Sequence, residues 1–390
     1  MDTAALKASW AQVVPLGDQA AAYFYATLFS IDPSLRQMFS ASMGGQRDRL
    51  LSALGHIVSN VDDSETLVAF VEQLGRDHRR FEVQPQHYPV VGQALLHTLA
   101  HGLGPAWNEQ LAADWATAYG IVAKAMIDAA AAVDPFEPAW WSAEIVSHER
   151  RTGDVAVLTV RPKGEVRYRA GQSLAVESHL RPKVWRYLTP ANAPRRDGTI
   201  DFHVRAVAGG QLSPALVYQA REGDVLRLGS PIGNRLTVAS GPGPDLLMLA
   251  GGTGVAPMKA IIEQLAAGLE NRKVTLVVGA PNRWDLHDQA ELDQLADDLR
   301  WVEVITALSE DIVGGQPVTA VEAALRHGTW HDRQIYVCGS PAMVAGTCQT
   351  LRDEGYAAAG IHVEQFDDKT YAPLRASMTP ERVFEEVTRP

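Results

Sequence analysis

Leu246-Leu247-Met248-Leu249-Ala250-Gly251-Gly252-Thr253-Gly254-Val255-Ala256-Pro257 decides the fold of the C-terminal third. An unbroken apolar run such as Leu246 to Ala250 describes a strand covered on both faces, the habit of parallel sheets flanked by helices. The glycines end the strand, and Pro257 to Ala267 reads as the helix that follows. The same alternation continues outward: Val274 to Val278 then Gln289 to Leu299, Val302 to Ala307 then Val318 to Leu325, Ile335 to Cys338 then Pro341 to Leu351. This predicts a doubly wound α/β domain over 241–367, with a polar surface tail over 368–390.

Upstream of Gly241-Pro242-Gly243-Pro244 the pattern changes. From Trp140 to Leu236 short alternating runs, such as Val155 to Val160 and Asp201 to Val207, are separated by Gly, Pro and Asp turns, which predicts an antiparallel barrel or sandwich over 140–240. Asp134-Pro135-Phe136-Glu137-Pro138 stops a helix and stiffens the chain, so 134–139 reads as a linker. Residues 1–133 carry apolar side chains at helical spacing (Leu16, Ala20, Tyr23, Phe24, Leu28; then Leu50, Leu51, Leu54, Ile57, Val58, Val61) and read as all-α. Pro33, Pro85 and Pro105 are placed at helix starts, where a missing N–H costs nothing.

The 390 residues are 46% hydrophobic and 21% charged, a composition for several packed domains. Lys and Arg number 35 against 46 Asp and Glu, a net charge of −11, which argues against nucleic-acid binding and against a polybasic membrane role. Cys338 and Cys348 alone cannot make a disulfide framework or a four-ligand zinc site and suit a reducing compartment, so a cytoplasmic protein is expected. The start, Met1-Asp2-Thr3-Ala4-Ala5-Leu6-Lys7, lacks a signal-peptide pattern, and no stretch reads as the roughly 18 uncharged apolar residues of a membrane span. Stable membrane insertion is not expected.

Three sets of residues carry chemistry. In the first third His78 lies at a helix end, in Leu74-Gly75-Arg76-Asp77-His78-Arg79-Arg80-Phe81, with Pro85 and Tyr88 downstream. In the middle third Arg186-Tyr187-Leu188-Thr189-Pro190 precedes Gly209-Gly210-Gln211-Leu212-Ser213-Pro214, where Ser213 and Pro214 read as an N-cap and first turn whose amides can face a phosphate. In the last third Gly252-Thr253-Gly254 and Pro257, at a strand-to-helix turn, permit close approach of a diphosphate or nicotinamide. Taken singly, Phe39, Leu50, Cys338 and Phe366 read as packing residues.

Taken in order they resemble a known family. Tyr23 to Phe29, Leu35-Arg36-Gln37-Met38-Phe39 and Gln46-Arg47-Asp48-Arg49-Leu50, followed by His78, look like the globin of a flavohaemoglobin. Arg186 to Pro190, then Gly251 to Pro257, then Tyr336-Val337-Cys338-Gly339-Ser340-Pro341 and Glu364-Gln365-Phe366, resemble the ferredoxin-reductase type of FAD and nicotinamide module. The resemblance implies haem b, FAD and NAD(P)H as cofactors. It implies His78 as proximal iron ligand, Tyr25 and Gln46 as distal donors to a bound gas, and Phe39 and Leu50 as haem walls. For FAD it implies Arg186 at the diphosphate, Thr189 near flavin N5, the Gly210-Gln211-Leu212-Ser213 turn at the pyrophosphate, Cys338 and Gly339 beside the nicotinamide, and Phe366 as the aromatic that shields the flavin.

Two departures stand out. Flavohaemoglobins pair the proximal His with a Tyr and a Glu; Tyr88 matches the Tyr, but the Glu position falls on Ala130. Asp128 lies two residues away, about 200° round a helix, and cannot substitute. Leu188 stands where a Tyr usually stacks on the flavin, and Tyr187, one position earlier, faces the other side of a strand. The implied activity is oxidation of nitric oxide by dioxygen to nitrate, in a monomer or weak dimer. Ala130 and Leu188 favour an alternative, an NAD(P)H diaphorase acting on quinones or peroxides; a non-catalytic gas sensor is the third reading. Arg283, after Gly279-Ala280-Pro281-Asn282, could meet a 2′-phosphate or be simply solvated, which leaves NADH against NADPH open.

Overall fold

The computed structural model describes residues 1–133, 135–239, 241–268, 272–311, 316–365 and 380–388. The described residues fall into two compact units, one comprising Met1–Trp140 and the other those from Trp141 on.

The first unit is all-α: α1 (Thr3–Val13), α2 (Asp18–Ile31), α3 (Gly44–Ser59), α4 (Ser64–His78), α5 (His87–Leu103) and α6 (Glu109–Val133). Short polar side chains start the helices by occupying first-turn amides: Asp2 accepts from Ala5 N–H at 3.0 Å, Asp63 from Thr66 at 3.2 Å and Asn108 from Leu111 at 3.0 Å. Pro33 opens a 3₁₀ segment, Pro33–Met38, and Pro105 lies in another, Gly104–Ala106. Neither Pro105 nor Pro85 starts an α-helix, because α6 begins at Glu109 and α5 at His87. Leu6, Trp10, Phe24, Tyr25, Leu28, Leu95, Leu99 and Trp115 form the core.

Glycine lets the helices that flank the site approach closely. A Cβ on Gly75 would lie 2.3 Å from the Met126 carbonyl oxygen, so α4 meets the backbone of α6, and one on Gly92 would lie 2.6 Å from the Tyr119 ring. α6 has 25 residues and is long and apolar enough, by length and composition alone, to cross a membrane, although Lys124 and Asp128 interrupt it so that it holds no uncharged stretch of that length. Here it is a helix of the all-α unit, with Leu111, Trp115, Ala123, Met126 and Ala129 buried.

The second unit joins two sheets. β1 (Trp141–Arg150), β2 (Val155–Pro162), β3 (Ser173–Ser178), β4 (Arg186–Leu188), β5 (Ile200–Arg205) and β6 (Val225–Ile232) form an antiparallel sheet in the order β4-β3-β6-β1-β2-β5. Its ends approach through a Pro190–Phe202 bridge, and Ala191 N–H donates to Asp201 O at 2.8 Å, so the sheet is a nearly closed barrel. Ile145, Leu158, Val160, Leu174, Val176, Phe202 and Leu228 fill it, together with Leu212 and Leu216 of α7 (Leu212–Tyr218).

β7 (Leu246–Gly251), β8 (Val274–Ala280), β9 (Val302–Leu308), β10 (Gln334–Gly339) and β11 (Ile361–Gln365) form a parallel sheet ordered β11-β10-β7-β8-β9. Alternate residues of β7 serve opposite faces. Leu246, Met248 and Ala250 pack with α8 (Val255–Ala267) and α9 (Gln289–Asp298), while Leu247 and Leu249 pack with α10 (Ala320–His327) and α11 (Pro341–Asp353). The order reverses between β7 and β10, the crevice where open α/β sheets hold ligands. Past the described strands α12 (Pro380–Val387) buries Val383 and Phe384 against this second layer, and the Arg352 guanidinium lies 5.1 Å above the Phe384 ring. The tail expected to be polar surface therefore ends in a docked amphipathic helix.

Candidate functional site

In the first unit, the end of α4 presents His78. Its Nδ1 donates to the Leu74 carbonyl oxygen at 2.7 Å, one turn back, which fixes the ring and directs Nε2 away from the helix. Among the described residues Nε2 has no hydrogen-bond partner. Burial pulls the imidazole below its ordinary pKa, against the pull of Asp77, so the ring is neutral at neutral pH. A neutral imidazole with one nitrogen anchored and the other open is the donor a haem iron requires. The turn behind it is rigid: Asp77 and Arg80 form a buried ion pair, Arg80 covers the Phe81 ring at 4.7 Å, and Arg79 donates to the Glu137 carbonyl in the proline-containing stretch.

Tyr88, one turn into α5, makes no hydrogen bond to His78 among the described residues. Burial pushes its phenol up to about 12, and its backbone carbonyl accepts from the Tyr119 hydroxyl at 2.6 Å. His78 thus bonds a main-chain acceptor where the resemblance implies a Tyr bridge, and Ala130 of α6 supplies no carboxylate.

Tyr25, Gln46, Phe39 and Leu50 come together in the first unit. Tyr25 is buried in α2, and desolvation pushes it up to about 12 although its hydrogen bond with Gln46 and the charge of Arg49 work the other way, so it remains a donor. Phe39 meets Tyr25 and Phe29 edge-on, each at 5.5 Å, and Leu50 packs into the same cluster. Arg49 Nη2 donates to Gln46 Oε1 at 3.2 Å. Arg49 is a functional candidate that the sequence reading passed over, although its spacing of three from Gln46 places both on one helix face.

In the second unit β4 carries Arg186, Tyr187 and Leu188. Leu188 pairs with Leu174 and packs on the barrel core, so Tyr187 occupies the opposite face. Arg186 Nη1 donates to the Trp185 carbonyl at 2.9 Å. The buried Thr189 hydroxyl shares a 2.9 Å hydrogen bond with Ser173 of β3.

The Gly210-Gln211-Leu212-Ser213 turn differs from expectation. α7 begins at Leu212, Gln211 holds the N-cap position without a side-chain cap, and Ser213 accepts from Val207 N–H at 3.2 Å instead of capping. The start shifts because Leu212 is fully buried in the barrel core, which leaves only its backbone for a ligand.

At the switch point Gly252 adopts φ +54°, and a Cβ on Gly254 would lie 2.2 Å from the Cys338 carbonyl oxygen. The structure therefore brings Gly254 of the Gly252–Gly254 turn against Cys338 and Gly339, while Pro257 is buried in α8. Burial pushes the Cys338 thiol well up, so it is a neutral packing group and not a nucleophile. Phe366 lies outside the described residues. Arg283 sits at the C-terminal end of β8, its Nε 3.5 Å from Asp311.

The comparisons with known proteins agree with this division. Residues 22–126 match the globin family, 142–236 the oxidoreductase FAD-binding domain and 248–349 the oxidoreductase NAD-binding domain. A globin joined to a flavin and nicotinamide oxidoreductase is the class these units define. A flavohemoprotein of Bordetella pertussis is 26% identical over 381 residues, 90% of this chain and 94% of its own. The reductase component 2 of a terephthalate 1,2-dioxygenase of Comamonas is 32% identical over 241 residues, 60% of this chain and 70% of its own. The fold matches a flavohemoglobin of Malassezia yamatoensis, solved with bound FAD and heme, at a TM-score of 0.77 and 18% identity, over 94% of this chain and 98% of that one. The chain belongs to the flavohaemoglobin family, and its cofactors are haem, FAD and a nicotinamide nucleotide. It is an oxidoreductase that moves electrons from NAD(P)H through FAD to haem.

Proposed function

We propose that the protein is a nitric oxide dioxygenase, consuming nitric oxide and dioxygen and forming nitrate. The observation that carries this reading is the distal set: Tyr25, held protonated by burial, hydrogen-bonds Gln46, and Arg49 in turn donates to Gln46, beside the apolar Phe39 and Leu50. Such donors hold a polar diatomic ligand, while the aromatic wall leaves room for a small apolar gas and excludes bulk water. When bound, the nicotinamide nucleotide supplies a hydride, FAD divides it into single electrons, and haem provides the iron at which the gases react. His78 would hold that iron through Nε2, and Thr189 and Ser173 would face the flavin from the barrel. Nitrate formation from nitric oxide and dioxygen takes one electron, so each NAD(P)H supports two turnovers.

One observation favours a second reading. His78 is anchored on the Leu74 carbonyl and has no carboxylate hydrogen-bond partner among the described residues, so it donates less strongly to iron than an imidazole hydrogen-bonded to an anion. Weak donation does not prevent oxygen binding but slows O–O cleavage, and together with Leu188 it fits a diaphorase acting on other acceptors. Nitric oxide consumption in the presence of NAD(P)H and dioxygen decides: two nitric oxide per NAD(P)H supports the dioxygenase. Normal haem reduction without nitric oxide consumption refutes it in favour of the diaphorase.

A further inference from the structure

Among the described residues of the second unit, Arg235 is the most deeply buried guanidinium of an ion pair, with its side chain 3% exposed. Its Nη2 donates to Glu364 Oε2 at 2.8 Å, and its backbone carbonyl receives a hydrogen bond from His362. Its Nε and Nη1 have no acceptor among the described residues. Arginine stays charged at any working pH, and a buried charged donor left unsatisfied costs more than a neutral one. Two such donors on one residue point to an acceptor outside the chain.

The path of the loop says where that acceptor lies. Ile232, the last residue of β6, pairs with Ser173, whose hydroxyl bonds Thr189. Gln172 then holds the Gly233 carbonyl at 3.0 Å, and Gly171 is pressed against Leu236, where a Cβ would lie 2.4 Å from its carbonyl oxygen. At the other end Glu364 of β11 stands in register with Cys338 of β10. Arg235 therefore sits between Ser173 of β3, which bonds Thr189, and the end of β10 that carries Cys338 and Gly339.

We propose that Arg235 is a positioning residue of the hydride-transfer cleft: Nη2 holds Glu364 beside Cys338, while Nε–H and Nη1–H donate to an oxygen of bound FAD. Two sources offer that oxygen, a carbonyl of the flavin ring or the diphosphate. Both share the acceptor chemistry of a planar fork. The proposal rests on the FAD assignment of this unit and is independent of the substrate used at the globin.

The test uses the full-length protein and its Arg235→Met, Arg235→Lys, Glu364→Gln and Arg235→Met/Glu364→Gln variants. The FAD dissociation constant comes from equilibrium dialysis, and the flavin midpoint potential from titration in the presence of a reference dye. Arg235→Met should raise the FAD dissociation constant at least tenfold, with partial rescue by Arg235→Lys and the same loss on the Glu364→Gln background. A more negative flavin potential in Arg235→Met assigns the contact to the ring; an unchanged potential with weakened binding assigns it to the diphosphate. FAD binding within twofold of wild type in Arg235→Met, or a loss that vanishes once Glu364 is Gln, overturns the proposal and leaves only a structural ion pair. Should Arg235→Met not fold, Arg235→Gln, which keeps a donor but no charge, is read by the same limits. A wild-type chain that binds no FAD would instead remove the flavin assignment itself.

Discussion

Two histidines buried between the barrel and the α/β layer make the reductase unit sensitive to acid. His203 of β5 and His287, in the turn before α9, share a 3.1 Å nitrogen-to-nitrogen hydrogen bond, and both are buried. Around them stand Lys259 of α8, ion-paired with Asp288 and Glu291, and Arg151, which binds Glu291 at 2.6 Å and Glu149 at 3.1 Å; Arg205 adds its charge from β5. Burial first, then these cations, pulls His287 down to about 4 and His203 well below its ordinary value of 6.5.

A group whose folded pKa is depressed and which is neutral when deprotonated binds its proton more readily in the unfolded chain, so stability falls as pH drops below 6.5. Between pH 7 and pH 5 this removes about 2 kcal/mol for His287, and His203 adds a loss of the same sign. Asp288 opposes them: desolvation pushes its carboxyl up to about 6 in spite of Lys259, and its protonation in the fold regains about 1 kcal/mol over the same interval. The net expectation is a loss of at least about 1 kcal/mol between pH 7 and pH 5, a measurable part of a domain's stability. Urea unfolding of the full-length protein, followed by the rise of flavin fluorescence as FAD is released, measures it at both pH values. In the His203→Asn/His287→Gln variant, which retains hydrogen-bonding groups near both nitrogens without a titratable ring, the loss should disappear. Equal losses in variant and wild type would refute the assignment of the acid sensitivity to this pair.

Three further outcomes follow from the two sites. His78→Ala should abolish stoichiometric haem binding while FAD remains bound, as read from the Soret and flavin absorbance; a mutant that keeps a normal five-coordinate haem would remove His78 as the ligand. Thr189→Ala should slow flavin reduction by NAD(P)H about tenfold or more while Thr189→Ser stays near wild type, because the hydroxyl held by Ser173 is what the site uses. Unchanged stopped-flow reduction in Thr189→Ala would argue against it. Ala130→Glu should lower the ferric/ferrous potential only if Tyr88 turns to bridge it, since His78 N–H is already taken by Leu74; the ferrous iron–histidine stretch checks this, and an unchanged stretch with an ionised Glu beside Tyr88 would exclude a bridging role.

Strands and helices that bury two faces at once were readable because their apolar spacing admits one register. A one-residue slip in β7 would exchange Leu247 and Leu249 for Met248 between two separately packed layers, so the run could hardly be anything else. The pieces that escaped depend on partners far along the chain. α12 reads as polar because its apolar residues Val383, Phe384 and Val387 are scattered among charged ones, and the surface they meet is made by β11 and α11. The start of α7 was misplaced because Ser213 offers a good cap locally, whereas burial of Leu212 in the barrel outweighs it; a fully buried Leu side chain contributes about 2 kcal/mol, more than a cap usually does.

The site divides along the same line. Local spacing was enough for Gln46 with Leu50, and for the glycines of the switch point, since neighbours on one helix or one turn meet whatever the tertiary fold. Arg235 had no local signature: an Arg after Gly233-Asn234 is indistinguishable from a solvated loop cation until Glu364, 129 residues on, encloses it. His203 and His287, 84 residues apart, are the same case. Isolated ionisable residues in a sequence are therefore read as solvent-facing by default, and in this chain those that the fold buries between sheets, Arg235 at the cleft and the histidine pair behind it, are where cofactor affinity and acid sensitivity should be sought.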